Sequence, residues 1–319
     1  MYNQLSDKKI NDLHGQIAYS CLEAGRTQIA HKNFMIQYKA YIKLPEDQGK
    51  TISILNFLGR NKRMAGDYES ALSYYIEGKK IAKDRGIPDD HTSLISINGN
   101  IGVLFFYWSR YAEAEPLLRT AIEIDKKIFG ENYIKYAIEL NNLARLESAI
   151  GNKEAAEKLF FRVLKSRTEH LGPRSIDVAY TKDGLAFHFL NYGDQEKASD
   201  YVKQSLDIQG QELYDHPDTA LSYYTLGRIL SKKQNFRSAE LHLEKAREIQ
   251  TGLFGESHPA TALTNLYIGS LCISQGYIKK SENLIKGSMQ ILEKKLVSVI
   301  LFMQMGLLYK LSFQKQKIK

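Results

Sequence analysis

Between Glu139 and Gly172 the chain reads ELNNLARLESAIGNKEAAEKLFFRVLKSRTEHLG, and its apolar and small positions fall into two runs. Leu140, Leu143 and Ala144 come first, followed by Ala155, Ala156, Leu159, Phe160, Val163 and Leu164. Both runs have the three-and-four spacing of one helix face. Gly151-Asn152 stands between them, a dipeptide that tolerates positive φ and so closes one helix and turns the chain into the next. The pattern predicts two antiparallel helices joined by a tight turn.

The same unit is written seven times. A small residue marks the place where the first helix must approach its partner closely: Ala18, Gly59, Gly102, Ala144, Ala186, Gly227 and Gly269, at intervals of 41 to 43 residues. Seven positions later comes the turn residue: Gly25, Gly66, Ser109, Gly151, Gly193, Gln234 and Gly276. Twelve positions after each marker stands another small residue: Ala30, Ala71, Ala114, Ala156, Ala198, Ala239 and Ser281. Three features held in register through seven copies define a repeat array.

This order of small residue, turn glycine and alanine resembles the tetratricopeptide repeat. The longer period, with GESHPATAL at Gly255–Leu263 and ELNNLA at Glu139–Ala144, is similar to the kinesin light chain type of that repeat. The minimal unit is about 34 residues, and the surplus here lengthens the second helix and the link that follows it. The resemblance implies an all-α, right-handed superhelical solenoid of seven antiparallel helical hairpins plus a terminal helix. Residues 1–10 read as a polar lead-in, and 11–298 as the solenoid. Its repeats are expected at 11–51, 52–94, 95–136, 137–178, 179–219, 220–261 and 262–298, with a terminal helix of an incomplete repeat and a basic tail over 299–319.

Punctuation between the repeats fits that scheme. Pro45 and Gly49 are expected to break the chain before the second repeat, and Pro88 to end its outer helix region. Gly130, Gly172 and Gly255 suit the left-handed position past a helix end, while Pro217 and Pro259 suit the first turn of the next helix. His216 and His258 are read as link residues. The aromatic run at Phe105–Trp108 is read as packing. The stretch Val297–Leu308 is the most apolar in the chain, too short for a spanning helix, which needs about 20 residues. It is expected to be a buried terminal helix, with 297–311 a candidate contact between two copies of the chain.

Composition adds little to the fold but narrows the function. The 319 residues are 43% hydrophobic and 25% charged, an ordinary soluble composition. A formal net charge of +8 favours anionic partners, and it is spread along the chain except for Lys310, Lys315, Lys317 and Lys319 in the tail. The two cysteines, Cys21 and Cys272, fall in the first and last full repeats, too far apart to pair, which suits a reducing, cytoplasmic compartment. The opening MYNQLSDKKINDLHG has no apolar core, so no secretory signal is expected. The eight histidines are scattered, and no metal-binding, nucleophile-elbow or phosphate-cradling motif is present. No enzyme activity, cofactor or small-molecule substrate is expected, and nucleic acid and membrane are disfavoured as partners.

In tetratricopeptide arrays the first helix of each hairpin lines a concave face, and positions one after, two before and three before the small marker point into it. Carried onto this sequence, those positions hold Arg60, Arg145 and Arg228 in alternate repeats, with Asn56, Asn100, Asn141, Asn142 and Tyr224; Arg63 and Lys232 follow four and five residues after a marker. Asparagine carries both a donor and an acceptor and can clamp an extended backbone, whereas arginine offers a planar fork to a carboxylate. The reading is a protein-binding scaffold holding an extended, acidic peptide. Leu266 and Tyr267 replace the amides in the last full repeat, so the clamp should weaken toward that end. The alternatives are a self-associating module and, less favoured, a nucleic-acid-associated regulator.

Overall fold

The computed structural model describes residues 2–44, 48–88, 91–130, 134–213 and 215–295. Every regular element among these residues is an α-helix. In chain order they are α1 (Tyr2–Glu23), α2 (Thr27–Tyr41), α3 (Gln48–Met64), α4 (Tyr68–Asp84), α5 (Thr92–Tyr107), α6 (Tyr111–Phe129), α7 (Ile134–Ile150), α8 (Lys153–Leu171), α9 (Ile176–Asn191), α10 (Gln195–Glu212), α11 (Pro217–Lys232), α12 (Phe236–Phe254), α13 (Pro259–Ser274) and α14 (Ile278–Lys295). Consecutive helices pack in pairs, and α2, α4, α8, α10 and α12, each the outer helix of its hairpin, also touch the next inner helix. The expectation of an all-α array of hairpins is met.

The register of small residues is the physical basis of the pairing. Ala18, Ala144 and Ala186 are fully buried, and so are Ala30, Ala71, Ala114, Ala156, Ala198 and Ala239 in the opposite register. Where the marker is glycine, the approach is too close for a side chain. A Cβ on Gly59 would lie 2.3 Å from Tyr75 Cε1, and one on Gly269 would lie 2.7 Å from Ile285 Cγ1.

All seven predicted turn residues adopt positive φ, from 60° at Gln234 and 61° at Ser109 to 100° at Gly151. In each, the amide of the residue after the turn residue reaches back five residues, as Asp67 N–H does to Lys62 O and Asp194 N–H to Phe189 O. That is the Schellman closure, and it satisfies carbonyls the helix end would otherwise orphan. The next residue begins the outer helix. Asp67, Asp194 and Asn235 there accept the backbone N–H three residues on.

Three boundaries differ from the sequence expectation. Residues 2–10, expected as a lead-in, are the first turns of α1. Gly49, expected to break the chain, lies inside α3. The inner helices from α3 to α13 begin three or four residues before the expected repeat starts, because the cap residue sits in the link. His91, His216 and His258 cap α5, α11 and α13, each accepting a backbone N–H through Nδ1 at 3.1 to 3.3 Å. The terminal helix expected at 299–319 and the 297–311 contact lie outside the described residues.

Two compact units are distinguished, Met1–Glu139 and Leu140–Lys319, with the division inside α7. In the first, Ala18, Leu22, Ala30, Phe34, Tyr41, Ile54, Leu55 and Leu58 form a core shared by α1, α2 and α3. In the second, Ala144, Ala156, Phe160, Leu185, Ala186, Phe189, Ala198, Val202 and Ile229 make a continuous core from α7 to α11. It is followed by clusters that tie α11 and α12 to α13 and α13 to α14. Both cysteines are free, with Cys272 buried.

Candidate partner-binding face

Within each unit odd-numbered helices line up as a row: α3 touches α5 in the first, and α11 touches both α9 and α13 in the second. Within the first unit this row carries Asn56, Arg60, Arg63 and Asn100. Asn100 Nδ2 donates to Asn56 Oδ1 at 2.9 Å, so the two amides of adjacent repeats are bonded to each other. Arg60 Nη2 reaches Glu23 Oε1 of α1 at 3.0 Å, and its guanidinium stands 6.0 Å from the Phe57 ring centre. Arg63 lies 4.9 Å over the Tyr107 ring. Tyr19, exposed, meets Phe57 edge-on at 5.6 Å. A ligand acid would therefore compete with Glu23 for Arg60.

In the second unit the position after the marker holds Arg145, Phe187 and Arg228 on successive inner helices α7, α9 and α11. Arg145 Nη1 donates to the Tyr180 hydroxyl and its guanidinium lies 5.3 Å over the same ring. Phe187 is about one-third exposed. Arg228 is held by rings from three repeats, with Phe187, Tyr267 and Tyr224 centred 5.0, 4.8 and 5.4 Å from its guanidinium carbon. Its Nη2 donates to Asn191 Oδ1 at 3.3 Å. Aromatic faces stabilise a cation without neutralising it. Lys232 is exposed and donates to Leu190 O at 3.3 Å.

Two predicted residues stand elsewhere than on an open face. Asn141 is fully buried, and neither of its amide atoms has a hydrogen-bond partner. Tyr224 is buried at the α11–α13 contact, edge-on to Tyr267, and burial pushes its phenol pKa up. The reason is the register three before the marker. It points between repeats, where Asp183 is also buried. Asn142, one position on, is half-buried.

Sequence reasoning missed the partners of the arginines. Glu23 and Asn191 both stand five after a marker, and each holds the arginine one after the next marker. That signal was present in the numbering. It also missed a buried constellation: His188 Nδ1 lies 2.9 Å from Ser148 Oγ and its Nε2 lies 3.3 Å from Glu157 Oε1. Burial lowers the His188 pKa, while Glu157 opposes that shift. Ser148 is buried, the Tyr192 hydroxyl donates to its backbone carbonyl at 3.2 Å, and the group joins α7, α8 and α9 as a packing contact. Among the described residues no cluster of three or more His, Cys, Asp and Glu could hold a metal ion, and no helix is long and apolar enough to cross a membrane.

Against known proteins, a family model of the tetratricopeptide repeat matches residues 93–169 and 177–252. With the seven-fold register and paired helices already in view, that decides the family. The chain is a tetratricopeptide-repeat protein. The human clustered mitochondria protein homolog (Homo sapiens) is 21% identical over 226 residues, which cover 71% of this chain and 14% of that protein. The chain thus spans a small part of that relative's length. Among solved structures, NprR in complex with its cognate peptide NprX matches with a TM-score of 0.69 at 14% identity, covering 99% of this chain and 91% of that one. BtubC (BKLC) from P. vanneervenii matches at 0.51 and 21% identity, covering 77% and 92%. At these identities the likeness is one of fold.

Proposed function

We propose that this tetratricopeptide-repeat chain is a non-enzymatic interaction scaffold that holds an extended, acidic peptide segment of a partner along its inner helices. The observation that carries the reading is Arg228, a guanidinium held over three aromatic faces, with the Asn191 amide and the Tyr224 hydroxyl, both neutral, as its hydrogen-bond partners. Desolvated on one side and unneutralised, it suits a ligand carboxylate better than water, since charge-assisted hydrogen bonds contribute roughly 1.5–3 kcal/mol when shielded. Arg145 and Lys232 extend the same character within the second unit, with Asn142 available to the ligand backbone. Asn141 and Tyr224 act from beneath, as supports. In the first unit Asn56, Arg60, Arg63 and Asn100 are the corresponding set, already engaged with one another, with Glu23 or with aromatic rings. The binding of a cognate peptide by NprR, which has this fold, supports the ligand class.

Selection of a random peptide display library on the native chain, beside an Arg145→Ala, Arg228→Ala, Lys232→Ala variant, tests this. Acid-rich peptides should be enriched on the native chain, with affinity falling at least tenfold on the variant. Equal enrichment on both, or no acidic bias, would falsify the assignment.

A further inference from the structure

The joint between the α9–α10 and α11–α12 hairpins contains a closed ring of three buried polar side chains. Gln209 Nε2 lies 2.8 Å from Asp183 Oδ2, Ser222 Oγ lies 2.6 Å from Asp183 Oδ1, and Ser222 Oγ lies 2.9 Å from Gln209 Oε1. Asp183, Gln209 and Ser222 are each at most 2% exposed. Three contacts at hydrogen-bond distance need three hydrogens. Serine supplies one, and the glutamine amide nitrogen, which faces only one of its two neighbours, supplies one more. Exchanging the glutamine's oxygen and nitrogen reverses the direction of the ring but not the total. With an ionised Asp183, one contact would press two lone pairs together in a site shut off from bulk solvent.

We infer that Asp183 is a protonated carboxylic acid in the folded chain, its proton closing the ring, and that its ionisation strains the joint between the fifth and sixth repeats. The charges around it offer no compensation. From α11 the ionisable neighbour is Asp218, another acid, and Ser222 also lies 3.2 Å from its backbone carbonyl. From α10 the side chains that meet it are Gln209 and Ser205, and Ser205 donates to Ala179 O at 2.9 Å. Arg167 of α8 is taken by Asp177 and Thr181 of α9. Lys182, beside it in sequence, interacts with Asp207 and Arg174. Burial, aided by Asp218, accordingly raises the Asp183 pKa to about 7, with the hydrogen bonds from Ser222, Ser205 and Gln209 opposing the shift.

An acid whose folded pKa lies above its unfolded value contributes stability below the unfolded pKa, and that stability is lost as pH rises to the folded one. The window runs from 3.8 to about 7. Asp183→Asn reproduces the protonated ring: its amide nitrogen donates to Ser222, whose hydroxyl donates to Gln209, which donates back to the asparagine oxygen.

The test is carbon NMR of the full chain with aspartate labelled at the side-chain carboxyl, titrated across neutral pH, together with thermal unfolding of both chains. One carboxyl signal should titrate near pH 7 and be absent from Asp183→Asn, and the variant should keep, up to about pH 8, the thermal stability the native chain loses. An Asp183 signal with a midpoint below about pH 5, or parallel stability curves, overturns the inference. Should Asp183→Asn fail to fold, Ser222→Ala, which leaves the acid but removes a member of the ring, must move that midpoint; an unmoved midpoint counts against the ring. None of these readouts involves a ligand, so they stand or fall apart from the proposed peptide binding.

Discussion

At Gly227 helix α11 passes α12 so closely that an added Cβ would meet Leu243 Cγ at 2.6 Å and the Ala239 carbonyl oxygen at 3.2 Å. Alanine is the better helix former by about 1 kcal/mol, but overpacking a tight contact costs roughly 1–3 kcal/mol, and here a backbone atom bounds the space on one side. Gly227→Ala is therefore expected to lower unfolding free energy by up to about 2 kcal/mol in urea titration. A stabilised variant would show that the register residue is tolerated instead of required. Close approach was legible from the small residue recurring every 41 to 43 positions. The burial of Asn141 was not, because one residue of rotation on a helix separates a wall position from a joint.

At the level of helices, the links do more than connect. His258 was read as a spacer before Pro259, yet its Nδ1 accepts the Ala260 N–H at 3.1 Å and so satisfies a donor that the first turn of α13 leaves over. Loss of a side-chain cap costs typically about 1 kcal/mol. His258→Ala should lower stability by about that amount and quicken amide exchange in the first turn of α13, measured by mass spectrometry; unchanged exchange there would remove the capping role. Histidine is a rare cap, which is why the sequence pointed to a link and no further. The capping of α4, α10 and α12 by Asp67, Asp194 and Asn235 follows the usual preference.

For the molecule as a whole, a repeat array is stabilised by each hairpin and by its contacts with the next, so damage should spread to neighbours and fade with distance. Phe160, fully buried among Ala144, Ala156, Leu185 and Ala186, is a test within the second unit. Phe160→Ala should cost about 3–5 kcal/mol. Hydrogen exchange should quicken most in α8 and α9 and least in α13 and α14. Uniform loss of protection across the unit would instead mark it as a single cooperative block.

By itself the sequence determined the number of hairpins, their turns and their register. Each of these is a local demand of the backbone, a positive φ or a space without a side chain, repeated until it could be counted. Only the tertiary structure decided that Arg60 meets Glu23 and Arg228 meets three rings. It alone joined Asp183, Gln209 and Ser222 in one ring. Such partners lie on different helices, and which atoms meet depends on how one hairpin is rotated on the next, a quantity no single segment encodes.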